Sequence, residues 1–340
     1  MKFLRLAIPL LILADGAGLA SAKDRHFADG LSVEAEVKEE DGKLRLTVVQ
    51  YDENQESHWL LTGDLTGEGG GKYRLVHEST DENDKTHTLT GTVKISDDAL
   101  TYSDLKDSGG KLEIPASGGP WKEIDDATLL RNARARYDTA DKLLNTAWTQ
   151  AKSEVGEKNF SPLRDGQRSW LKYRDAMSEK VVRDILGNPE KTPDYKNLPD
   201  YWQAMTEYTV TRTPVLRAWS GKSVPPGRSG IYRDSYGGEV TLAEKKDGLH
   251  FEINVVRTPA FNLGEISGTA TLSGGSASWT DAPKPEGEKP ATLTFTFNAN
   301  RSLTIKSENA DSYHGHNAHF DGQYFKIAPL KPETIKKDGA

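Results

Sequence analysis

Residues 137–155 read YDTADKLLNTAWTQAKSEV, and residues 161–182 read SPLRDGQRSWLKYRDAMSEKVV. In the first stretch Tyr137, Ala140, Leu144, Trp148, Ala151 and Val155 recur at three- and four-residue spacing, which puts them on one stripe of an α-helix. In the second the stripe is Leu163, Trp170, Met177 and Val181, with Gln167 and Arg174 on the same line. The punctuation agrees. Asp125 or Asp126 can cap the first helix, because a carboxylate accepts from the free N–H groups there. Gly156 fits the position after its last turn. Ser161-Pro162 opens the second helix as a cap followed by proline at the first helical position, and Gly187 ends it. Residues 188–199 form a proline-containing loop. A third helix is expected over about residues 200–219, with Met205, Tyr208, Arg212 and Leu216 on one face and a kink at Pro214. The stretch therefore reads as a helical hairpin followed by a third helix.

The sequence on both sides has a different period. Leu44-Arg45-Leu46-Thr47-Val48 alternates, as does Thr88-Leu89-Thr90 before Val93 and Ile95, with Gly-rich and acidic turns between the runs. Residues 250–256, 268–272 and 292–297 have the same character. The two β regions also resemble each other. Residues 38–49, KEEDGKLRLTVV, match residues 244–256, EKKDGLHFEINVV. Leu61-Thr62-Gly63 matches Ile266-Ser267-Gly268, and an aromatic follows each glycine, Tyr73 in one copy and Trp279 in the other. Thr88-Leu89-Thr90 matches Thr292-Leu293-Thr294. Gly119-Pro120-Trp121-Lys122-Glu123-Ile124 matches Gly322-Gln323-Tyr324-Phe325-Lys326-Ile327. The shared order points to duplication, the alternative being convergent patterning of two ordinary β domains. Many short strands with polar turns need closure to bury their edges, so each copy should be a small antiparallel barrel or a strongly curved sheet. The fold class is α+β and multidomain. The boundaries are an N-terminal β domain at 23–124, a helical domain at 125–222 and a C-terminal β domain at 228–330, with a tail at 331–340. Val224-Pro225-Pro226-Gly227 reads as the linker into the second copy.

The first 22 residues read as an export signal. Lys2 and Arg5 are positive, residues 6–13 are apolar, and Ala20-Ser21-Ala22 is a small-x-small cleavage site. The apolar run is far shorter than the roughly 20 residues of a membrane-spanning helix. A periplasmic or secreted protein is expected. The chain has no cysteine, so neither disulfides nor thiol chemistry enter. The net charge of −7 gives no reason to expect nucleic-acid binding and favours encounter with a basic partner, although mild acidity also serves solubility alone.

The hairpin resembles the LprI-type lysozyme-inhibitor family, whose module pairs a helix of the form Y..AD..LN with one of the form QR.W..YRD. Here the first half is Tyr137, Ala140, Asp141, Leu144 and Asn145, and the second is Gln167, Arg168, Trp170, Tyr173, Arg174 and Asp175. The match covers about 50 of the 340 residues. Many family members tie the two helices with a cysteine pair. Ser178 stands in the neighbourhood of one of those cysteines here, so packing alone must hold this hairpin. Gly166, inside the second helix, costs roughly 1 kcal/mol relative to alanine. The residue types have a structural reading. Trp148 and Trp170 pack between helices, Asp141 or Asp175 pairs with Arg174 or Arg168, and Gln167 bonds across the hairpin.

The resemblance implies a binding protein rather than an enzyme, with a c-type lysozyme or another basic envelope protein as partner. The partner-binding candidates are Asp141, Asn145, Gln167, Arg168, Trp170, Lys172, Tyr173, Arg174 and Asp175. An inhibitor must obstruct a cleft holding two catalytic carboxylates, for which a basic side chain or a loop is the natural plug. The competing reading is an envelope binding or assembly protein whose β domains take a glycan, lipid or protein ligand.

Little other chemistry stands out. His314-Gly315-His316 followed by His319 is a histidine cluster in which His314 and His316 share a strand face, and Asp311 or Asp321 offers a third zinc ligand. A Gly/His hairpin explains the same residues without metal. Asp81-Glu82-Asn83-Asp84 resembles a fragment of a calcium loop but lacks its spaced glycine and terminal glutamate, so it reads as a solvated turn. No nucleophile elbow, phosphate-binding loop or His-Glu-x-x-His helix occurs. No cofactor and no catalytic residue is expected.

Overall fold

A computed structural model describes residues 24–330 apart from 41, 81–85, 109–113, 158–159, 188, 190–193, 223, 258–261, 283–288 and 316–317. The export signal, the tail, residues 81–84 and His316 lie outside the described residues.

The first β region forms β1 (Arg25–Asp29), β2 (Val33–Glu40), β3 (Lys43–Tyr51), β4 (Ser57–Gly69), β5 (Lys72–Thr80), β6 (Thr86–Ile95), β7 (Ala99–Asp107) and β8 (Gly118–Ile124). Consecutive strands pair antiparallel, and β8 returns to pair with β1 through Phe27 and Glu123. The result is a closed eight-stranded barrel with no free edge. Alternate residues point inward, so Phe27, Leu46, Val48, Leu75, Val93, Leu100 and Trp121 fill the interior.

The second β region repeats this. It comprises β9 (Gly230–Arg233), β10 (Gly238–Lys245), β11 (Gly248–Arg257), β12 (Asn262–Ser273), β13 (Ser276–Thr280), β14 (Thr292–Phe297), β15 (Ser302–Glu308) and β16 (Gly322–Ala328). β9 and β16 close it. Its interior holds Tyr232, Val240, Leu242, Phe251, Ile253, Leu293, Phe295 and Tyr324.

The ladders carry the repeat in their registers. Ala35↔Val48 and Val37↔Leu46 correspond to Val240↔Ile253 and Leu242↔Phe251. Leu46↔Gly63 corresponds to Phe251↔Gly268. A side chain at either glycine would collide, since a Cβ would lie 2.8 Å from the Val76 carbonyl at Gly63 and 2.6 Å from the Trp279 ring nitrogen at Gly268. The Gly119 and Gly322 segments also correspond, through Leu100↔Trp121 and Leu303↔Tyr324. Three of the sequence matches are displaced. Glu40↔Lys43 and Lys245↔Gly248 put Gly248 in the place of Lys43, so the Asp-Gly pairs are one residue out. Val93↔Tyr102 and Phe295↔Ile305 put Leu293 in the place of Gly91, two residues from Leu89. Leu75↔Gly91 and Trp279↔Leu293 then give Trp279 the place of Leu75, two residues from Tyr73. A shift of two keeps the same face, so alternation alone does not detect it.

Between the barrels in sequence come α1 (Asp126–Val155), α2 (Phe160–Ile185) and α3 (Pro199–Ala218). Asp125 is the cap of α1, its carboxylate accepting the Thr128 N–H at 2.8 Å. Gly156 and Gly187 have left-handed φ of 70° and 67° just beyond α1 and α2. α2 starts at Phe160, earlier than expected, so Ser161 and Pro162 sit within its first turn. Proline is tolerated there because first-turn N–H groups have no intrahelical acceptor. The loop before α3 contains a 3₁₀ turn, Tyr195–Asn197.

By its contacts the chain divides into two compact units, and the division cuts every helix. Among the described residues, the first unit runs from Asp24 to Ala140 and takes in Val182–Glu207. There Tyr137, Val182, Tyr195, Tyr201 and Met205 pack together. Asn132 donates to the Gly30 carbonyl in the β1–β2 turn at 3.3 Å. Arg136 pairs with Glu34, and Ser57 donates to Glu207 at 2.6 Å. The second unit holds Asp141–Val181 with the residues from Tyr208 onward. There Tyr173 packs edge-on against Tyr236 of the β9–β10 turn, with centroids 4.9 Å apart, and Trp219 stacks on Phe325 at 4.4 Å. In each unit the turn after the barrel's first strand receives the helical segments.

Glu207 makes the first unit sensitive to pH. Burial pushes its carboxyl up to about 7, against the Ser57 hydrogen bond and Arg136, which favour the charged form. The folded value lies above the ordinary unfolded value of about 4.3. The associated stability is therefore present below that value and is lost as pH rises toward 7. Glu207→Gln should remove this slope and make the protein more stable than wild type at pH 8 by on the order of 2 kcal/mol. Urea unfolding at pH 5 and pH 8 checks it. An equal difference between variant and wild type at both pH values would show that Glu207 does not titrate in this way.

Candidate functional site in the helical hairpin

The second half of the motif is built around Trp170, which is fully buried with Leu144, Ala147, Ala151, Leu163 and Leu216. Two guanidinium groups pack on its ring, Arg174 at 5.4 Å and Arg212 at 5.7 Å from the centroid. Arg212 also lies 5.6 Å from the Trp219 ring. It is a buried cation held by two indoles. Burial lowers its pKa to about 10, which leaves it charged at neutral pH. Its Nε donates to Gln167 Oε1 at 3.0 Å. The Gln167 bond thus goes to α3 and not across the hairpin as expected. Gly166 now has a reason. A Cβ there would stand 3.2 Å from the Trp219 ring, so the glycine makes room for the indole.

Arg174 fixes the register of α1 and α2 as the residue types suggested. Its guanidinium reaches Asp175 at 2.8 Å and Asp141 of α1 at 3.9 Å. Asp141 also accepts from Asn145 at 2.8 Å. Tyr173 packs edge-on against Tyr208 at 5.7 Å. Ser178, in the neighbourhood of a family cysteine, is fully buried.

The nine candidate residues separate by exposure. Gln167, Trp170 and Arg174 are buried and hold the helices together, so their side chains are not placed to meet a partner directly. Asp141 and Tyr173 are half-buried. Asn145, Arg168, Lys172 and Asp175 are exposed, and the last three follow at four and three residues, one stripe of α2. Residues 122–213 match the model of the lysozyme inhibitor LprI family. The matched stretch runs from the last residues of β8 through α1 and α2 into α3, beyond the two motif helices. No curated protein and no solved structure matches the chain. LprI is an inhibitor family by its description.

Arg212 was legible in the sequence as a member of the α3 face but not as part of the module's centre. An arginine inside an otherwise apolar stripe was the available signal. No helix among the described residues is long and apolar enough to cross a membrane.

The histidine cluster does not assemble among the described residues. His314 Nδ1 lies 3.0 Å from the Gly315 carbonyl, and its Nε2 is 4.0 Å from Asp311. His319 Nδ1 faces the Asp321 carbonyl at 3.2 Å. A different set, Asp52, Glu56 and His58, brings three ligand-type atoms within 4.8 Å of one another. Asp52 is engaged there in the turn itself, accepting the N–H groups of Asn54 and Glu56 at 2.8 and 2.9 Å.

Proposed function

We propose that this chain is an exported, non-enzymatic inhibitor of a c-type lysozyme, and that the outer face of its hairpin makes the contact. The family match over residues 122–213 carries this reading. The exposed residues of the motif support the choice of face. Arg168 and Lys172 are cations on one stripe, suited to a cleft that holds two carboxylates. The chain's net charge of −7 would speed encounter with a basic enzyme. The signal-like first 22 residues supply the export.

The test is lysis of bacterial cell walls by hen-type lysozyme with the mature protein titrated to large excess. Inhibition should be stoichiometric. The double variant Arg168→Glu/Lys172→Glu should weaken it at least about tenfold, equivalent to 1.4 kcal/mol, while leaving the thermal melt unchanged. Added salt should reduce inhibition by the wild type. Undiminished lysis at large excess of wild type would end this reading. Capture of a different protein from envelope extract would then favour an envelope binding role.

A further inference from the structure

The turn that joins β3 to β4 gathers three residues with metal-ligand chemistry. One ligand atom each from Asp52, Glu56 and His58 lies within 4.8 Å of the others. The turn is held by its own backbone. The Asp52 N–H donates to the Glu56 carbonyl at 3.1 Å, and the Gln55 N–H donates back to the Asp52 carbonyl at 3.0 Å. Its ends are strands of a closed barrel, where Tyr51 pairs with Ser57 and Gln50 with His58. The ligand atoms are open. Asp52 uses only Oδ1 in the turn, accepting both the Asn54 and the Glu56 N–H groups there. That fixes the carboxylate and leaves Oδ2 facing His58 Nε2 at 3.7 Å. His58 is exposed and Glu56 is half-buried, so an ion can reach them from solvent.

A buried atom in the same turn lacks a partner. Gln55 is 8% exposed, and its Oε1 is buried without a hydrogen bond. Its Nε2 donates to the Asp52 carbonyl at 3.2 Å. Both ends of a carboxamide share one carbon, so the orphan oxygen sits beside the backbone of the first ligand residue. A buried acceptor left unpaired is unfavourable, and a water bound to a cation is a strong donor that would satisfy it. The donor set also selects the ion. Imidazole with carboxylates suits zinc and similar transition-metal ions, whereas calcium and magnesium take oxygen ligands. A tetrahedral zinc site needs its ligand atoms about 3.3 Å apart. The separation of Asp52 and His58 is near that, and the half-buried Glu56 side chain closes the remainder by rotation.

We propose that this turn binds one divalent transition-metal ion of the zinc class through Asp52 Oδ2, the Glu56 carboxylate and His58 Nε2, with a metal-bound water donating to Gln55 Oε1. The site lies outside residues 122–213, so it stands or falls apart from lysozyme inhibition. Isothermal titration of the untagged full mature chain with zinc chloride tests it, with calcium and magnesium chloride as comparators. One zinc ion should bind per chain with Kd on the order of 10 μM, and both comparators at least about tenfold more weakly. His58→Ala and Glu56→Gln should each weaken zinc binding about tenfold or more, while His319→Ala, in the other histidine cluster, should leave it unchanged. Neither turn position is buried, so both variants should fold, which circular dichroism confirms. No saturable zinc binding, tighter binding of calcium or magnesium, zinc affinity unchanged in both turn variants, or loss of binding in His319→Ala would each overturn the proposal.

Discussion

Trp170→Ala should lower the stability of the second unit by roughly 3–5 kcal/mol, the range for deleting a fully buried large aromatic. The side chain has no exposed surface and sits among Leu144, Ala147, Leu163 and Leu216. Its removal opens a cavity that helical backbones cannot readily collapse into. It also removes the ring on which Arg174 and Arg212 pack. Arg212 is the more exposed to this loss, because its hydrogen-bond partners are the neutral side chains of Gln167 and Ser235. A desolvated cation without its π partner adds to the cavity cost. Trp170→Phe keeps a π face and most of the volume, so it should recover more than half of the loss. Urea unfolding followed by hydrogen exchange on Asp141–Val181, the parts of α1 and α2 that belong to this unit, separates it from the other. A loss under about 1 kcal/mol in the alanine variant would mean that the site repacks freely, and the module would not depend on its tryptophan.

What could be read from the sequence, and what could not, follows from the range of the interactions. The helix ends were legible because their signals are local, as with Asp125, Gly156 and Gly187. The apolar stripes were legible because burial follows the helical period, and Leu163, Trp170, Met177 and Val181 are all buried. The barrels were legible as alternation plus closure. The repeat was legible by strand, while its register slipped by two at β5 and β6 because alternation has a period of two. Gln167 shows the other limit. Its acceptor oxygen serves Arg212, 45 residues away on α3, and nothing near residue 167 announces that partner. Gly166 looked like a cost and proves to be clearance for Trp219 for the same reason. Exposure within the motif was equally invisible, since the buried Arg174 and the exposed Arg168 have the same chemistry in sequence.

Arg136→Ala should destabilise the first unit by roughly 3–5 kcal/mol, through charge rather than through volume. The guanidinium is 2% exposed, and its Nη2 lies 2.6 Å from Glu34. It also packs 4.2 Å from the Tyr51 ring centroid. The Tyr51 hydroxyl reaches Glu34 at 3.5 Å, and burial with the neighbouring Glu34 carboxylate pushes that hydroxyl above its ordinary range. Without Arg136, Glu34 is left a largely desolvated carboxylate whose remaining contact is a long bond to tyrosine. One consequence separates this account from simple loss of packing. The double variant Arg136→Met/Glu34→Gln should recover most of the loss, because neither charge is then buried alone. A double-mutant cycle by urea unfolding measures the coupling. Strictly additive single losses would show that Arg136 contributes only its hydrocarbon stem and its contact with Tyr51, and that the ion pair with Glu34 adds nothing to the fold.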